Sequence, residues 1–165
     1  MFSRRLLLWA AAVVLAGSLG ASARAGQFVP FNATWSGVTV AADTSGFPIV
    51  KVIASGEGTG TELGHFVMVS PHVNNVFTLA LEGDQNFTAA NGDTLSAHFS
   101  GFLSPNADGS LSGVLPCVFT GGTGRFAGAA GSYDFAITAV PLPDGSGFAS
   151  TATITGLIST VGSDK

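Results

Sequence analysis

The side chains that could do chemistry are few and scattered along the chain. The chain has three histidines and ten acidic residues, and His65, His72 and His98 each lie on or beside a different apolar run. None stands at a metal-ligand spacing such as His-x-His or His-Glu-x-x-His, so the sequence predicts no metal site and no cofactor. Glu57 and Glu62 flank a Gly-Thr-Gly-Thr segment and could act together as general acid and base, although acids beside turns are more often simply solvated.

The nucleophiles give no stronger signal. Cys117 is the single cysteine, so the chain has no intramolecular disulfide and no cysteine-based zinc site. It shares a period-two face with Leu115 and Phe119, which predicts a buried, unreactive thiol rather than a nucleophile. The serines lack the Gly-x-Ser-x-Gly and Ser-x-x-Lys patterns of hydrolases. If the fold encloses a cavity, the candidates for its wall are Glu57, Glu62, His65 and Cys117.

The N-terminus has the form of an export signal. Two arginines precede an apolar run at residues 6–16, which is too short to span a bilayer well, and Ala-Arg-Ala at residues 23–25 fits a signal-peptidase site. The sequence therefore predicts a signal peptide over residues 1–25 and one domain over residues 26–165, exported to the periplasm or outside the cell. The alternative is an uncleaved membrane anchor. Both the general secretory route and the twin-arginine route stay open.

The charge of the exported chain excludes several partners. Cleavage leaves Lys51, Arg125 and Lys165 against ten acidic residues, a net charge near −7. Such a surface repels phosphate backbones and anionic lipid, so we expect no nucleic-acid binding and no membrane association after cleavage.

Period-two alternation after residue 26 predicts strands. Gly, Thr, Ser, Val and Phe dominate, a composition that favours strands and turns over helices. The expected apolar faces are Phe77, Leu79 and Leu81; Leu95, Ala97, Phe99 and Leu103; Leu111, Leu115, Cys117 and Phe119; Tyr133, Phe135 and Ile137; and Ala152, Ile154 and Ile158. Turn signals such as Asn-Gly-Asp at residues 91–93 separate these runs. Eight or nine short-looped antiparallel strands follow, and periodicity alone leaves a sandwich and a closed barrel equal.

A glycine-rich stretch, VFTGGTGRFAGAAG over residues 118–131, resembles a dinucleotide fingerprint in its spacing. That fingerprint needs a long helix after it, whereas strand alternation resumes at Ser132. We therefore expect a structural turn in which Gly122 and Gly124 adopt positive φ, Arg125 contacts carbonyls or a carboxylate, and Phe126 fills an apolar gap. The motif comprises Gly121, Gly122, Gly124, Arg125, Phe126 and Gly128.

The same stretch, FTGGTGRFAGAAGSYDF, resembles the glycine-rich signature of the allene oxide cyclase and dirigent barrels, and in particular a group of small secreted bacterial proteins of that superfamily. TAANGDTLSAHFSG and GTGTELGHF are similar to two further segments of these proteins. The resemblance implies an all-β fold, a single calycin-like antiparallel barrel of about eight strands with a possible cavity. It carries no catalytic residue onto this chain.

Two functions follow from these expectations. The first is an exported, non-enzymatic barrel that binds a small apolar ligand, because small barrels can hold one ligand and the chain is rich in phenylalanine. The alternative is a cofactor-free isomerase or cyclase acting in the cavity. A weaker option is an interaction module that uses the outer face, and self-association into a homo-oligomer fits any of the three.

Overall fold

The structure, a computed structural model, describes residues 26–159. The predicted signal peptide lies outside the described residues. The strands, numbered along the chain, are β1 (Val29–Asp43), β2 (Ile49–Gly60), β3 (Gly64–Asn75), β4 (Ala80–Ala89), β5 (Thr94–Phe102), β6 (Ser104–Pro105), β7 (Leu111–Gly122), β8 (Ala130–Pro141) and β9 (Gly147–Ser159). A single 3₁₀ turn, Gly124–Phe126, joins β7 to β8. Within the described residues, no helix has the length and apolar character needed to cross a membrane.

Eight long strands close into an antiparallel barrel. Their order is β5-β4-β3-β2-β1-β9-β8-β7, and β5 pairs with β7 to complete the ring. The register of that last pair shifts at a bulge between Ser96 and Ala97. The two-residue strand β6 pairs with the start of β7. Closure pairs both edges of every long strand, which removes the open edges that would otherwise promote aggregation. The barrel expectation is therefore confirmed, and the sandwich alternative is wrong.

Inward-facing side chains pack one end of the barrel solidly. Phe31 lies at the centre, with ring centroids 5.0 Å from Phe119, 5.4 Å from Tyr133 and 6.5 Å from Phe87. Below these rings, the residues that seal the end each expose 1% or less of their surface: Leu63, Phe66, Leu95, Phe126 and Ile158. Edge-to-face aromatic contacts of this kind stabilise a core beyond the area they bury. We call this end of the barrel the closed end.

The predicted apolar faces hold for β5, β7, β8 and β9. One predicted face is wrong: Phe77 is 72% exposed and Leu79 adopts φ +57° in the loop before β4. The cause is Asn75, whose side-chain oxygen accepts hydrogen bonds from the backbone N–H groups of Phe77 and Thr78. This local turn ends the alternation and delays the strand to Ala80.

Candidate functional site

The end opposite the closed end holds a cavity. It has a volume of about 350 Å³ and is bordered by the upper parts of β1, β2 and β9 and by the loops that follow β3, β5 and β8. A narrower cavity of about 60 Å³ continues down the barrel axis. The residues that border both are Thr39, Asn74, Leu81, Leu103, Leu111 and Phe148. We call the pair of cavities the lumen and this end the mouth.

The lumen wall is mostly apolar, with a few polar side chains set into it. Ser70, Gln85 and Ser150 are each 2% exposed and border the narrow cavity. The Tyr133 hydroxyl donates a 2.5 Å hydrogen bond to Oε1 of Gln85. Because that bond fixes Oε1 as an acceptor, the Gln85 amide NH₂ remains available as a donor. A largely apolar wall with a few fixed polar groups is typical of small-molecule sites.

Two buried polar atoms of the lumen wall have no hydrogen-bond partner among residues 26–159. They are Nε1 of Trp35, a residue only 3% exposed, and Oδ1 of Asn74. Both residues border the narrow cavity, and Asn74 borders the mouth cavity as well. Buried polar atoms are nearly always paired, so an unpaired donor and an unpaired acceptor in one cavity wall suggest binding partners that come from outside the chain.

Among the described residues that border the lumen, His72 is the titratable one, and it borders the narrow cavity. Its Nδ1 lies 2.9 Å from the Ser70 carbonyl oxygen. A carbonyl oxygen only accepts, so Nδ1 carries the proton of the neutral ring and Nε2 keeps its lone pair. Burial lowers the pKa of His72, and the hydrogen bond to Ser70 opposes this only in part. The imidazole is therefore neutral at pH 7, with a free basic nitrogen.

None of the four predicted cavity candidates borders the lumen. Glu57 and His65 face outwards from neighbouring strands, 71% and 57% exposed at the side chain, with 3.4 Å between Oε2 and Nε2. Glu62 lies in the turn between β2 and β3, at the closed end. The reason is alternation: Phe66 points inwards, so its neighbour His65 must point outwards.

Cys117 points inwards but lies in the packed interior rather than at the cavity. It is fully buried, and its Sγ donates to the Leu115 carbonyl oxygen at 3.3 Å. Burial raises its pKa to about 12. Burial also raises the pKa of the neighbouring Tyr133 well above its ordinary value. A protonated, enclosed thiol cannot act as a nucleophile at neutral pH.

The glycine motif forms the closed end. Gly121, Gly124 and Gly128 adopt φ of +132°, +56° and +72°, whereas Gly122 does not have positive φ. The expectation for Gly122 is therefore wrong in its cause. A Cβ there would collide with the Thr94 carbonyl oxygen, so the position needs glycine for close approach instead.

Arg125 and Phe126 complete that end. Nη2 of Arg125 donates to the Leu63 carbonyl oxygen at 3.2 Å, and its backbone N–H donates to Oδ2 of Asp93 at 3.3 Å. The guanidinium lies 4.8 Å from the centroid of the buried Phe126 ring. Hydrogen bonds from the Asn91 side chain, then from the Arg125 backbone, lower the pKa of Asp93. The motif thus ties the β2–β3, β4–β5 and β7–β8 connections together.

Sequence reasoning missed the residues that do line the lumen. Ser70, His72 and Asn74 continue the inward period-two frame that starts at Phe66 and Met68. Polar residues at these otherwise apolar inward positions are the sequence signal that could have indicated a cavity wall. Within residues 26–159, no group of three or more His, Cys, Asp or Glu side chains is placed to hold a metal ion.

Comparison with known proteins supports the fold. No protein-family model matches the sequence, and no curated protein sequence matches it. Among solved structures, the chain is similar to the pterocarpan synthase dirigent protein GePTS1, with a TM-score of 0.56 and 14% sequence identity over 90% of this chain and 97% of that one. At this identity the similarity shows the fold alone. The chain is therefore an all-β protein whose closed eight-stranded antiparallel barrel resembles that of a dirigent protein.

Proposed function

We propose that this protein binds a small, largely apolar molecule in the lumen of its barrel without transforming it. The observation that supports this most directly is the contrast between the two ends. The closed end is filled by aromatic side chains, whereas the mouth leaves about 350 Å³ unfilled. That volume is at the lower end of the range of about 300–1,000 Å³ that is typical of small-molecule sites.

The wall of the lumen supplies the driving force for such binding. Leu81, Leu103, Leu111 and Phe148 border both cavities and present apolar surface to whatever enters. Each CH₂ group that a ligand buries there contributes about 0.8 kcal/mol. A chain of six to ten carbons would therefore bind usefully even after the loss of its translational freedom.

The proposal includes export. A carrier of apolar molecules is useful where such molecules must cross water, and the signal peptide predicted over residues 1–25 would place this domain in the periplasm or outside the cell. The sequence resemblance to small secreted bacterial barrels supports the same assignment.

The experiment is native mass spectrometry on protein purified from its own host, with and without a substitution that fills the mouth. Thr39 borders both cavities, whereas its neighbour Val38 faces outwards and is 42% exposed. We expect a retained small molecule on the wild type and on Val38→Phe, and none on Thr39→Phe. Equal retention by the two variants would place any ligand outside the lumen and contradict the proposal.

A cofactor-free isomerase or cyclase is the second candidate, and His72 is the observation that favours it. A neutral imidazole with a free Nε2 in a cavity wall could accept a proton from a bound substrate and return it at another atom. The molecule recovered from the host supplies the test. Conversion of that molecule by the wild type but not by His72→Gln would establish the isomerase, and an unchanged molecule in both would leave the binding protein.

A further inference from the structure

We infer that, within the proposed function, the lumen selects an uncharged molecule that bears a hydroxyl group and rejects anionic ones. Three features of the described residues support this. They are the unpaired polar atoms of Trp35 and Asn74, the lack of a cation along the lumen, and carboxylates in or beside three loops at the mouth end.

The unpaired indole N–H of Trp35 is placed to meet a ligand that comes from the mouth. Cζ2 of Trp35 lies on the nitrogen-bearing edge of the ring, 2.5 Å from the point where a Cβ of Gly37 would be. Gly37 is the next inward position on β1 towards the mouth, followed by Thr39. The edge of the indole that carries Cζ2 and Nε1 therefore lies against Gly37, which has no side chain to cover it, and Trp35 borders the narrow cavity.

Asn74 offers the complementary atom. Its Oδ1 is buried without a partner, at the junction of the two cavities. An indole N–H only donates and a carbonyl oxygen only accepts. A ligand would therefore need an acceptor to pair with Trp35 and a donor to pair with Asn74. A hydroxyl group can pair with either atom, and an apolar molecule with one or two hydroxyl groups would pair with one or both of them without bringing a charge into the barrel.

A charged group would find no partner of opposite sign inside. Residues 26–159 contain one lysine, Lys51, and one arginine, Arg125. Lys51 has a 70% exposed side chain and pairs with Asp43 at 3.1 Å, at the mouth end but not among the residues that border the lumen. Arg125 lies at the closed end, where it binds the Leu63 carbonyl. His72 borders the narrow cavity, and burial lowers its pKa, so its ring is neutral at pH 7. A carboxylate in the lumen would thus lose its hydration with no cation to replace it, which is costly.

The mouth itself is negative. Asp43, Asp108 and Asp144 lie in or beside three loops at that end, and each accepts hydrogen bonds from the serine two residues further on. Those bonds are the largest cause of the lowered pKa of each carboxyl, which for Asp43 falls to about 2. All three are ionised at neutral pH, and Lys51 offsets the charge of Asp43 alone. This end therefore keeps a net negative charge, which disfavours the approach of an anion.

The test compares four eight-carbon probes at pH 7.5 by isothermal titration calorimetry. They are 1-octanol, octanoate, octylammonium and 1-chlorooctane, which differ at one end of a common chain. We expect 1-octanol to bind at least tenfold more tightly than octanoate and more tightly than octylammonium. Octanoate binding as tightly as 1-octanol would overturn the rejection of anions. Octylammonium as the tightest ligand would place the polar end among the carboxylates of the mouth and overturn the inference as well.

Two variants test the polar contacts. The preference for 1-octanol over 1-chlorooctane should fall about fivefold, the effect of one neutral hydrogen bond, in Trp35→Phe or in Asn74→Leu, according to which atom the single hydroxyl group contacts. An unchanged preference in both variants would overturn the assignment of these atoms. Failure of the proposed function gives a different result: no probe binds the wild type, or Thr39→Phe and Val38→Phe bind every probe equally well.

Discussion

The buried hydrogen bond between Tyr133 and Gln85 makes a quantitative prediction about stability. The two residues are 3% and 2% exposed, and the bond joins β8 to β4 across the barrel at 2.5 Å. Tyr133→Phe keeps the ring and its contacts with Phe31 and Phe119 but leaves Oε1 of Gln85 unpaired. An unpaired buried acceptor costs about 1–3 kcal/mol, so we expect a loss of about 2 kcal/mol in the free energy of unfolding.

The partner variant sharpens this prediction. Gln85→Met keeps the length of the side chain but removes the acceptor, which leaves the Tyr133 hydroxyl without this partner. The free energy of unfolding should therefore fall by a similar amount. The double variant leaves neither polar group unpaired. We therefore expect its loss of stability to be about 1–2 kcal/mol smaller than the sum of the two single losses. Urea unfolding measures this, since a slope of about 2 kcal/mol per M turns a 2 kcal/mol loss into a midpoint shift of about 1 M. Single losses that simply add, or a neutral Tyr133→Phe, would refute the reasoning.

Three further predictions concern other parts of the chain. Gly122→Ala should lower the free energy of unfolding by about 1–3 kcal/mol, because its Cβ meets the Thr94 carbonyl oxygen. The matched variant Gly92→Ala, at φ +88° in open space, should cost only about 1 kcal/mol in the same urea assay, and the reverse order would contradict the steric account. Cys117, buried and with a pKa of about 12, should react with a thiol reagent only after unfolding; rapid labelling of native protein would show that the thiol is accessible. Intact-mass analysis of the exported protein should give an N-terminus at Gly26, and a retained Met1 would contradict the export argument.

Much of the fold could be predicted from alternation, because each strand buries one face and the pattern is local. Leu95, Ala97 and Phe99 are all buried on β5, as their spacing requires. The pattern failed at Phe77 because hydrogen bonds to Asn75 create a turn inside an apolar run. Periodicity could not decide between a sandwich and a barrel, because closure requires β1 to pair with β9, the first and last strands of the chain, as well as β5 with β7.

The candidate site could not be predicted by residue type. Glutamate, histidine and cysteine can do chemistry, but the direction in which the strand points each side chain decides whether it borders a cavity. His65 and His72 are both on β3, yet seven residues apart they fall on opposite faces of the strand. Trp35 gave no signal at all, because an unpaired indole N–H is visible only once the surrounding side chains are in place.

The cavity itself follows from a gradient of side-chain size along the strands, which the sequence holds once the register is known. On β1 the inward residues run from Phe31 and Trp35 to Gly37 and Thr39 towards the mouth, and on β3 Phe66 and Met68 are followed by Ser70. Because a barrel of eight strands has a nearly constant diameter, these small residues leave space between the larger ones that border the mouth, such as Leu81 and Phe148. The lumen is thus encoded by the size of inward residues rather than by reactive groups. Motifs of reactive residues therefore do not mark the site, whereas the alternation of apolar residues still indicates the fold.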